Sequence, residues 1–291
     1  MSPLAAGQPL NERFTLVRRL GEGGAAEVWL VHDRELDERF VAKVLPAGSP
    51  DDAVVLLQRE CRIARRLVHP NIVRVHEFHR AGDAAFLLVD HVEGGDSARL
   101  RGAAPLEIVH AAIAIAEALH HAHGQGIVHR DLKVANVLMD RSGRPLVADF
   151  GIAGVVGSGD HGPSIAGGGT RHAVSPQQLA GAESAPSDDV YGLGVLLYEW
   201  VTGHPPFWPE VTPERIRSEV PPPMTSAHPV PANLDTLVAS MLAKSPGNRP
   251  PDMAAVAEAL RAIEHELVAA SRSVPAREGN GIRLTPPPRV E

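Results

Sequence analysis

The first third of the chain alternates apolar and polar positions with the period of a strand. Phe14, Leu16, Arg18 and Leu20 fall on one side of such a run, and the turn Gly21-Glu22-Gly23-Gly24 leads into Val28-Trp29-Leu30-Val31. A third run, Phe40-Val41-Ala42-Lys43-Val44-Leu45, ends at the breaker Pro46-Ala47-Gly48-Ser49-Pro50. From about Asp51 to Leu67 the period lengthens to that of a helix, stopped by His69-Pro70. Leu56, Ile63 and Leu67 mark its apolar face, and Glu60 falls on that face with them. Two more strand-like runs surround Val73-Arg74-Val75 and Phe86-Leu87-Leu88-Val89. The loop from His91 to Asp96 reads as a linker between two lobes.

Beyond that loop the pattern is mainly helical. Ile108, Ala112, Ile115 and Leu119 form one stripe, Val190, Leu193, Leu197 and Val201 a second, and Met253, Val256, Leu260, Ile263 and Leu267 a third. Between the first two lie the apolar pairs Val137-Leu138 and Leu146-Val147, joined by a turn at Asp140-Arg141-Ser142-Gly143. From Ile152 to Gly169 the chain is glycine-rich and nearly free of large apolar residues, as expected of a mobile surface segment. After Ser271 come Pro275, the run Pro286-Pro287-Pro288 and scattered arginines, which read as a disordered tail.

Composition narrows the function classes. With 44% hydrophobic and 22% charged residues, the 291-residue chain has the make-up of a globular protein with a real core. The net charge of -7 argues against a general nucleic-acid binder. The single cysteine, Cys61, excludes an internal disulfide and a Cys-rich zinc site, and it fits a reducing compartment. The start, Met1 to Gly7, lacks the charged-then-apolar pattern of a signal peptide. The most apolar stretch, Val190 to Val201, is interrupted by Glu199 and is far short of the ~20 residues of a membrane helix. A cytoplasmic protein with no membrane anchor is therefore expected. Lysine occurs only at positions 43, 133 and 244, so the other basic residues are all arginine. Such a chain keeps lysine where a compact ammonium does what a planar guanidinium cannot. The neighbourhoods of Lys43 and Lys133 support that; Lys244 reads as chance retention.

The candidate chemistry starts with the glycine turn at positions 21–24. Without Cβ atoms, its backbone N–H groups can approach a phosphate closely, although many ordinary hairpins carry such a turn. It opens into a strand, unlike a dinucleotide fingerprint, which opens into a helix. Lys43 sits in a strand, and Glu60 faces inward from the following helix; a buried carboxylate needs a cation, and Lys43 is the simplest partner. The segment His129-Arg130-Asp131-Leu132-Lys133-Val134-Ala135-Asn136 is far more specific. One loop presents a carboxylate, an ammonium two residues on and an amide five residues on. Phosphoryl transfer needs those parts: an acceptor near the attacking hydroxyl, a cation for the transferring charge and an oxygen ligand for Mg²⁺. Asp149-Phe150-Gly151 follows 18 residues after Asp131.

With the motifs LGEGGAAEV, FVAKVL, HRDLKVAN, DFG, SPQQ, SDDVYGLGVLLYEWVTGHPPF and NRP, the sequence resembles the eukaryotic-like (Hanks-type) serine/threonine protein kinases of bacteria, over about Phe14 to Leu267. The resemblance implies an α+β bilobal fold. Residues 1–12 would be an N-terminal extension and 13–270 the kinase domain, with a β-rich lobe to about 91, a hinge at about 90–96 and a mainly helical lobe from about 97. Residues 271–291 would be the tail. The implied cofactors are ATP and Mg²⁺ (or Mn²⁺), and the implied partner is a protein with a Ser or Thr acceptor, with a transient dimer for autophosphorylation. On this likeness Lys43 holds the α- and β-phosphates and is oriented by Glu60, while Asp131 accepts the hydroxyl proton or positions the hydroxyl. Lys133 reaches the γ-phosphate, and Asn136 and Asp149 ligate the metal. Gly21, Gly23 and Gly24 cover the phosphates. Val28, Val41 and Leu138 enclose the adenine, Val89 is the gatekeeper, Asp90 to Val92 the hinge and Asp96 the ribose contact. Asp189 braces the catalytic loop, and Ser158 or Ser164 is the expected autophosphorylation site.

Some positions depart from the family pattern. Ala26 stands at the third loop glycine, Val41 at a usual alanine and Val134 at a frequent proline. Arg171 and Ala173 stand where proline and tyrosine are common. Gln177 replaces the glutamate that pairs with an arginine in the helical lobe, here Arg249, which would leave that guanidinium under-compensated and the segment before it loosely anchored. Ala26 and the altered segment around Gln177 keep a pseudokinase scaffold in view, and the shared His-x-Asp loop and Asn136 keep a small-molecule kinase of related fold in view. The cluster His120-His121-Ala122-His123 reads as solvated or helix-capping rather than as a metal site, and Cys61 as a small buried residue.

Overall fold

A computed structural model describes residues 4–23, 26–45, 47–82, 84–150, 154–155 and 173–273. The N-terminal lobe is an antiparallel sheet of β1 (Phe14–Gly23), β2 (Ala26–Asp33), β3 (Glu38–Leu45), β4 (Val75–Ala81) and β5 (Ala84–Asp90), in the order β1-β2-β3-β5-β4. Helix α1 (Asp51–Ala64) crosses between β3 and β4. The period-two pattern sorts the sheet's side chains by face. Phe14, Leu16, Trp29, Val31, Ala42, Val44, Phe86 and Leu88 pack together on one side. Leu45, Ala85 and Leu87 pack on the other, against Val54, Leu57 and Cys61 of α1. Burial of each larger side chain of this kind stabilises the lobe by about 1.5–3 kcal/mol. Lys43 alternates with Ala42 and Val44, so it points to the α1 side; this is how the sequence pattern aims it at the helix.

Three details of the N-terminal lobe differ from the sequence reading. The β1 register slips between Leu16 and Arg18 and again between Arg19 and Gly21. Strict alternation is lost there, and Leu20 is exposed. Helix α1 ends at Ala64 rather than Leu67 and turns Val54, Leu57 and Cys61 inward, leaving Leu56 exposed. Val73 lies outside a strand; its N–H donates to the Val147 carbonyl, tying this lobe to the next. The segment before Phe14 folds back along β1, with Gly7 N–H on the Leu16 carbonyl and Leu10 buried.

The C-terminal lobe is built on α2 (Pro105–Gly124), α4 (Pro186–Thr202) and α7 (Met253–Ser273), with the shorter α3 (Pro176–Leu179), α5 (Pro213–Ser218) and α6 (Ala232–Met241). All three expected stripes lie in one core, with Leu267 at its margin. Helix α4 is buried on every side from Asp188 to Val201, because α2 and α6 both pack on it. A Cβ on Gly194 would lie 2.9 Å from the Met241 Cβ, so this glycine permits the α4–α6 approach. The helix stops at Gly203, whose φ of 86° needs no Cβ penalty. Two small sheets carry the loops between the lobes: β6 (Ile127–Val128) with β9 (Gly154–Val155), and β7 (Val137–Met139) with β8 (Pro145–Val147). The latter is the expected hairpin, in the register Val137 to Val147. Helix α7 carries through Ser271 to Ser273, past the point where the tail was expected to begin. Residues 274–291, the rest of that tail, lie outside the described residues, as does most of the glycine-rich 152–169 segment. Among the described residues, no helix is long and apolar enough to cross a membrane.

Candidate active site

Lys43 lies between the lobes. Its Nζ donates to Glu60 Oε1 at 2.6 Å and to Asp149 Oδ1 at 2.7 Å. The ammonium thus joins strand β3, helix α1 and the start of the Asp149-Phe150-Gly151 segment. Burial works against the charged lysine, yet the Asp149 and Glu60 carboxylates outweigh it and hold its pKa above the ordinary value. Burial raises the Glu60 carboxyl above its usual range, with Lys43 pulling the other way. The pairing inferred from the strand and helix patterns is therefore present, and Asp149 completes it.

The catalytic-loop candidates converge on Asp131. Lys133 Nζ donates to Asp131 Oδ2 at 2.6 Å, and Asn136 Nδ2 donates to the same oxygen at 3.0 Å and to the Asp131 carbonyl at 2.8 Å. Among the described residues no donor is placed against Asp131 Oδ1, which leaves that oxygen to accept from a hydroxyl. The amide of Asn136 is oriented by these two donations from its Nδ2. Arg130 and Asp149 both hold φ near the left-handed region, at 70° and 63°. Such backbone is costly for residues with a Cβ and persists only where neighbours enforce it.

The enforcement comes from below. Asp189, in the first turn of α4, accepts from His129 N at 2.8 Å through Oδ2 and from Arg130 N at 2.8 Å through Oδ1. His123 Nε2 shares the Oδ2 oxygen at 2.7 Å. Burial alone would raise this carboxyl, but the His123 contact and the backbone donors prevail and hold it below its ordinary value. The brace read from the sequence is present, and His123 corrects the reading of the histidine cluster: it is buried within the brace, not solvated. Phe150 is buried with its ring 4.7 Å from that of His129, and His129 Nε2 bonds the Ala148 carbonyl at 2.9 Å.

The cleft wall is apolar and half-buried. Val28 lies opposite Lys43 in the β2–β3 register, and Val41 lies opposite Val89 in β3–β5. Leu138, on β7, is bridged to Asp96. The chain crosses at Gly94, where a Cβ would collide with the Met139 carbonyl oxygen. Asp90 pairs with His76 at 2.6 Å, Val92 is half-buried, and exposed Asp96 accepts from Ala98 N at 3.0 Å. Gly21 and Gly23 lie in β1, with Gly23 opposite Ala26; Gly24 lies outside the described residues. Ser158, Ser164 and Arg171 also lie outside them. Ala173 is buried, and its carbonyl lies close to Gly192 of α4.

The reading of Gln177 needs correction. Arg249 is buried and donates to Gln177 Oε1 at 2.6 Å, but also to the carbonyls of Ala243, Ser187 and Lys244. Its hydrogen-bonding capacity is well used, although burial still pushes it below its ordinary pKa, with Asp188 opposing. Gln177 in turn donates through Nε2 to the Lys244 carbonyl at 2.9 Å, which a glutamate cannot do. Lys244 is not an idle survivor either. Its Nζ caps the Ile216 carbonyl at 2.8 Å and lies 4.9 Å from the Phe207 ring centroid.

Comparison with known proteins agrees with this geometry. The protein kinase domain model matches residues 14–265. The chain is 35% identical to the serine/threonine-protein kinase PkaA of Streptomyces coelicolor over 97% of its length, covering 56% of that protein. It is 31% identical to PrkC of Bacillus subtilis, over 84% of the chain and 39% of the relative. To PknL of Mycobacterium tuberculosis it is 32% identical, over 92% of the chain and 69% of the relative. The chain belongs to the protein kinase family, among the bacterial serine/threonine kinases. It spans about half the length of PkaA and less of PrkC.

Proposed function

We propose that this chain transfers the γ-phosphate of ATP, with Mg²⁺ (or Mn²⁺), to serine or threonine hydroxyls of a protein substrate in the cytoplasm. The observation that carries the reading is the continuous polar chain from Glu60 through Lys43 to Asp149, together with an Asp131 already oriented by Lys133 and Asn136. The donor set suits the metal nucleotide: Asn136 Oδ1 and the Asp149 carboxylate are hard oxygen ligands near an ammonium. Bound there, the metal would offset phosphate charge. In this reading Lys43 meets the α- and β-phosphates, fixed in place by Glu60. Asp131 Oδ1 accepts the hydroxyl and aligns it, and Lys133 swings from Asp131 toward the transferring phosphoryl. Catalysis is then positioning plus electrostatics. Gly21, Gly23 and Gly24 would cover the phosphates, Val28, Val41, Val89 and Leu138 would enclose the base beside the 90–92 hinge, and Asp96 would reach the ribose. Transient pairing of two copies would permit autophosphorylation at Ser158 or Ser164.

A pseudokinase reading has little support, because Gln177 keeps its contact with Arg249 and the catalytic polar groups are assembled. Incubation of the purified chain with labelled ATP, Mg²⁺ and a generic protein substrate tests the proposal. Label on serine or threonine, lost in Asp131→Asn, is the expected result. Absence of transfer by folded wild-type protein that binds ATP would overturn it.

A further inference from the structure

The peptide planes around Asp131 are pinned one by one. The Arg130 N–H is held by Asp189. The Asp131 N–H donates to His129 Nδ1 at 3.2 Å. The remaining group, the Arg130 carbonyl, accepts from Gln178 Nε2 at 2.8 Å. That carbonyl and the Asp131 N–H belong to one peptide plane, which carries the Cα of Asp131. Arg130 has the left-handed φ of 70°, so this plane is turned against its intrinsic preference and must be held.

Gln178 is well placed to hold it. Its Oε1 accepts from Ser175 N at 2.9 Å, while the Ser175 hydroxyl accepts from Gln178 N at 3.1 Å. This reciprocal cap fixes which end of the amide faces which group: the oxygen is used by Ser175, so the nitrogen must face Arg130. The Ser175 hydroxyl also donates to the buried Asp188 at 2.6 Å, anchoring the cap to α4 beside Asp189. Two neighbouring glutamines in α3 therefore have different partners. Gln177 clamps Arg249, and Gln178 reaches the catalytic loop.

We propose that Gln178 is a positioning residue for phosphoryl transfer, acting through the Arg130–Asp131 peptide plane to orient the Asp131 carboxylate. The inference rests on the kinase reading above. It makes the end of the segment preceding α3 part of the catalytic geometry, because a shift of α3 would be passed through one amide to Asp131.

The discriminating variant is Gln178→Glu. A glutamate keeps the acceptor used by Ser175 N but sets an oxygen against the Arg130 carbonyl. The fold and ATP affinity should be kept, with a modestly lower unfolding midpoint from the lost donor, while kcat falls about tenfold or more, since ~1 Å misplacement can cost up to 10²-fold. The Asp131 amide resonance in a ¹⁵N-labelled sample should shift, a readout independent of activity. Folded Gln178→Glu with kcat within twofold of wild type and an unmoved Asp131 resonance would overturn the proposal. If Gln178→Glu does not fold, Gln178→Ala serves, with the same resonance and kcat decisive after unfolding has been measured. Inactivity of the wild-type protein itself would instead count against the kinase reading, while a shifted Asp131 resonance would still establish the contact.

Discussion

The catalytic loop and helix α3 are both anchored to the C-terminal lobe by buried polar contacts, but with opposite electrostatics. The loop rests on a carboxylate, Asp189, which accepts from two backbone N–H groups and from His123. The helix rests on an amide, Gln177, which accepts from Arg249 and donates to the Lys244 carbonyl. The difference follows from what each anchor faces. Around Asp189 every neighbour is a donor, so an acceptor-only group satisfies them all and gains charge assistance. Around Gln177 one neighbour is a donor and the other an acceptor, and only a group that does both fits. A substitution that looks like a lost ion pair in the sequence is thus a matched hydrogen-bond exchange in the fold.

The largest expected effects remove reacting-site groups and leave both anchors alone. Asp131→Asn and Lys43→Met should each lower transfer by ~10²–10³ or more, since each deletes a preorganised electrostatic or positioning element. Steady-state phosphorylation with circular dichroism on the same samples checks this; near wild-type turnover in a folded variant would refute the assigned roles. Next comes the charged anchor. Asp189→Ala strands two backbone N–H groups and His123, and should destabilise the lobe by about 3 kcal/mol or more, read by urea unfolding. The neutral anchor should respond less. Gln177→Leu should cost about 1–3 kcal/mol, because it leaves Arg249 and the Lys244 carbonyl short of a partner. Gln177→Glu should move stability by less than about 1 kcal/mol, the charge-assisted contact to Arg249 being offset by the lost donor to Lys244. A clear stabilisation by Gln177→Glu in thermal unfolding would restore the simple ion-pair picture.

The smallest effect concerns acid. The folded Asp189 carboxyl is held below its ordinary pKa, so the unfolded chain binds more protons in the interval between the folded and ordinary values. Its contribution is present above the ordinary carboxylate range and is lost as pH falls through the folded pKa. The wild-type unfolding midpoint should therefore drop more steeply below about pH 4 than that of Asp189→Asn. Parallel curves for the two proteins would place the acid-sensitive group elsewhere.

Much of the site was legible in the chain because its parts are local. Asp131, Lys133 and Asn136 lie within one loop, and their side chains meet there. Lys43 and Glu60 could be paired because strand alternation aims the lysine and an inward-facing carboxylate needs a cation. The roles of His123, Gln178 and Lys244 were not legible. Each depends on a partner brought near by tertiary packing: Asp189 for His123, the Arg130 carbonyl for Gln178 and the Ile216 carbonyl for Lys244. Polar side chains have no periodicity that announces a distant partner.

The sequence by itself determined the two-lobed division, the strand and helix stripes and the order of the chemical groups, because periodicity and local spacing are written residue by residue. Only the tertiary structure decided which face of α1 turns inward, where β1 slips register and what Gln177 touches. Those outcomes depend on which surfaces of separate elements can bury apolar area together while still pairing every buried polar group, a condition no single segment contains.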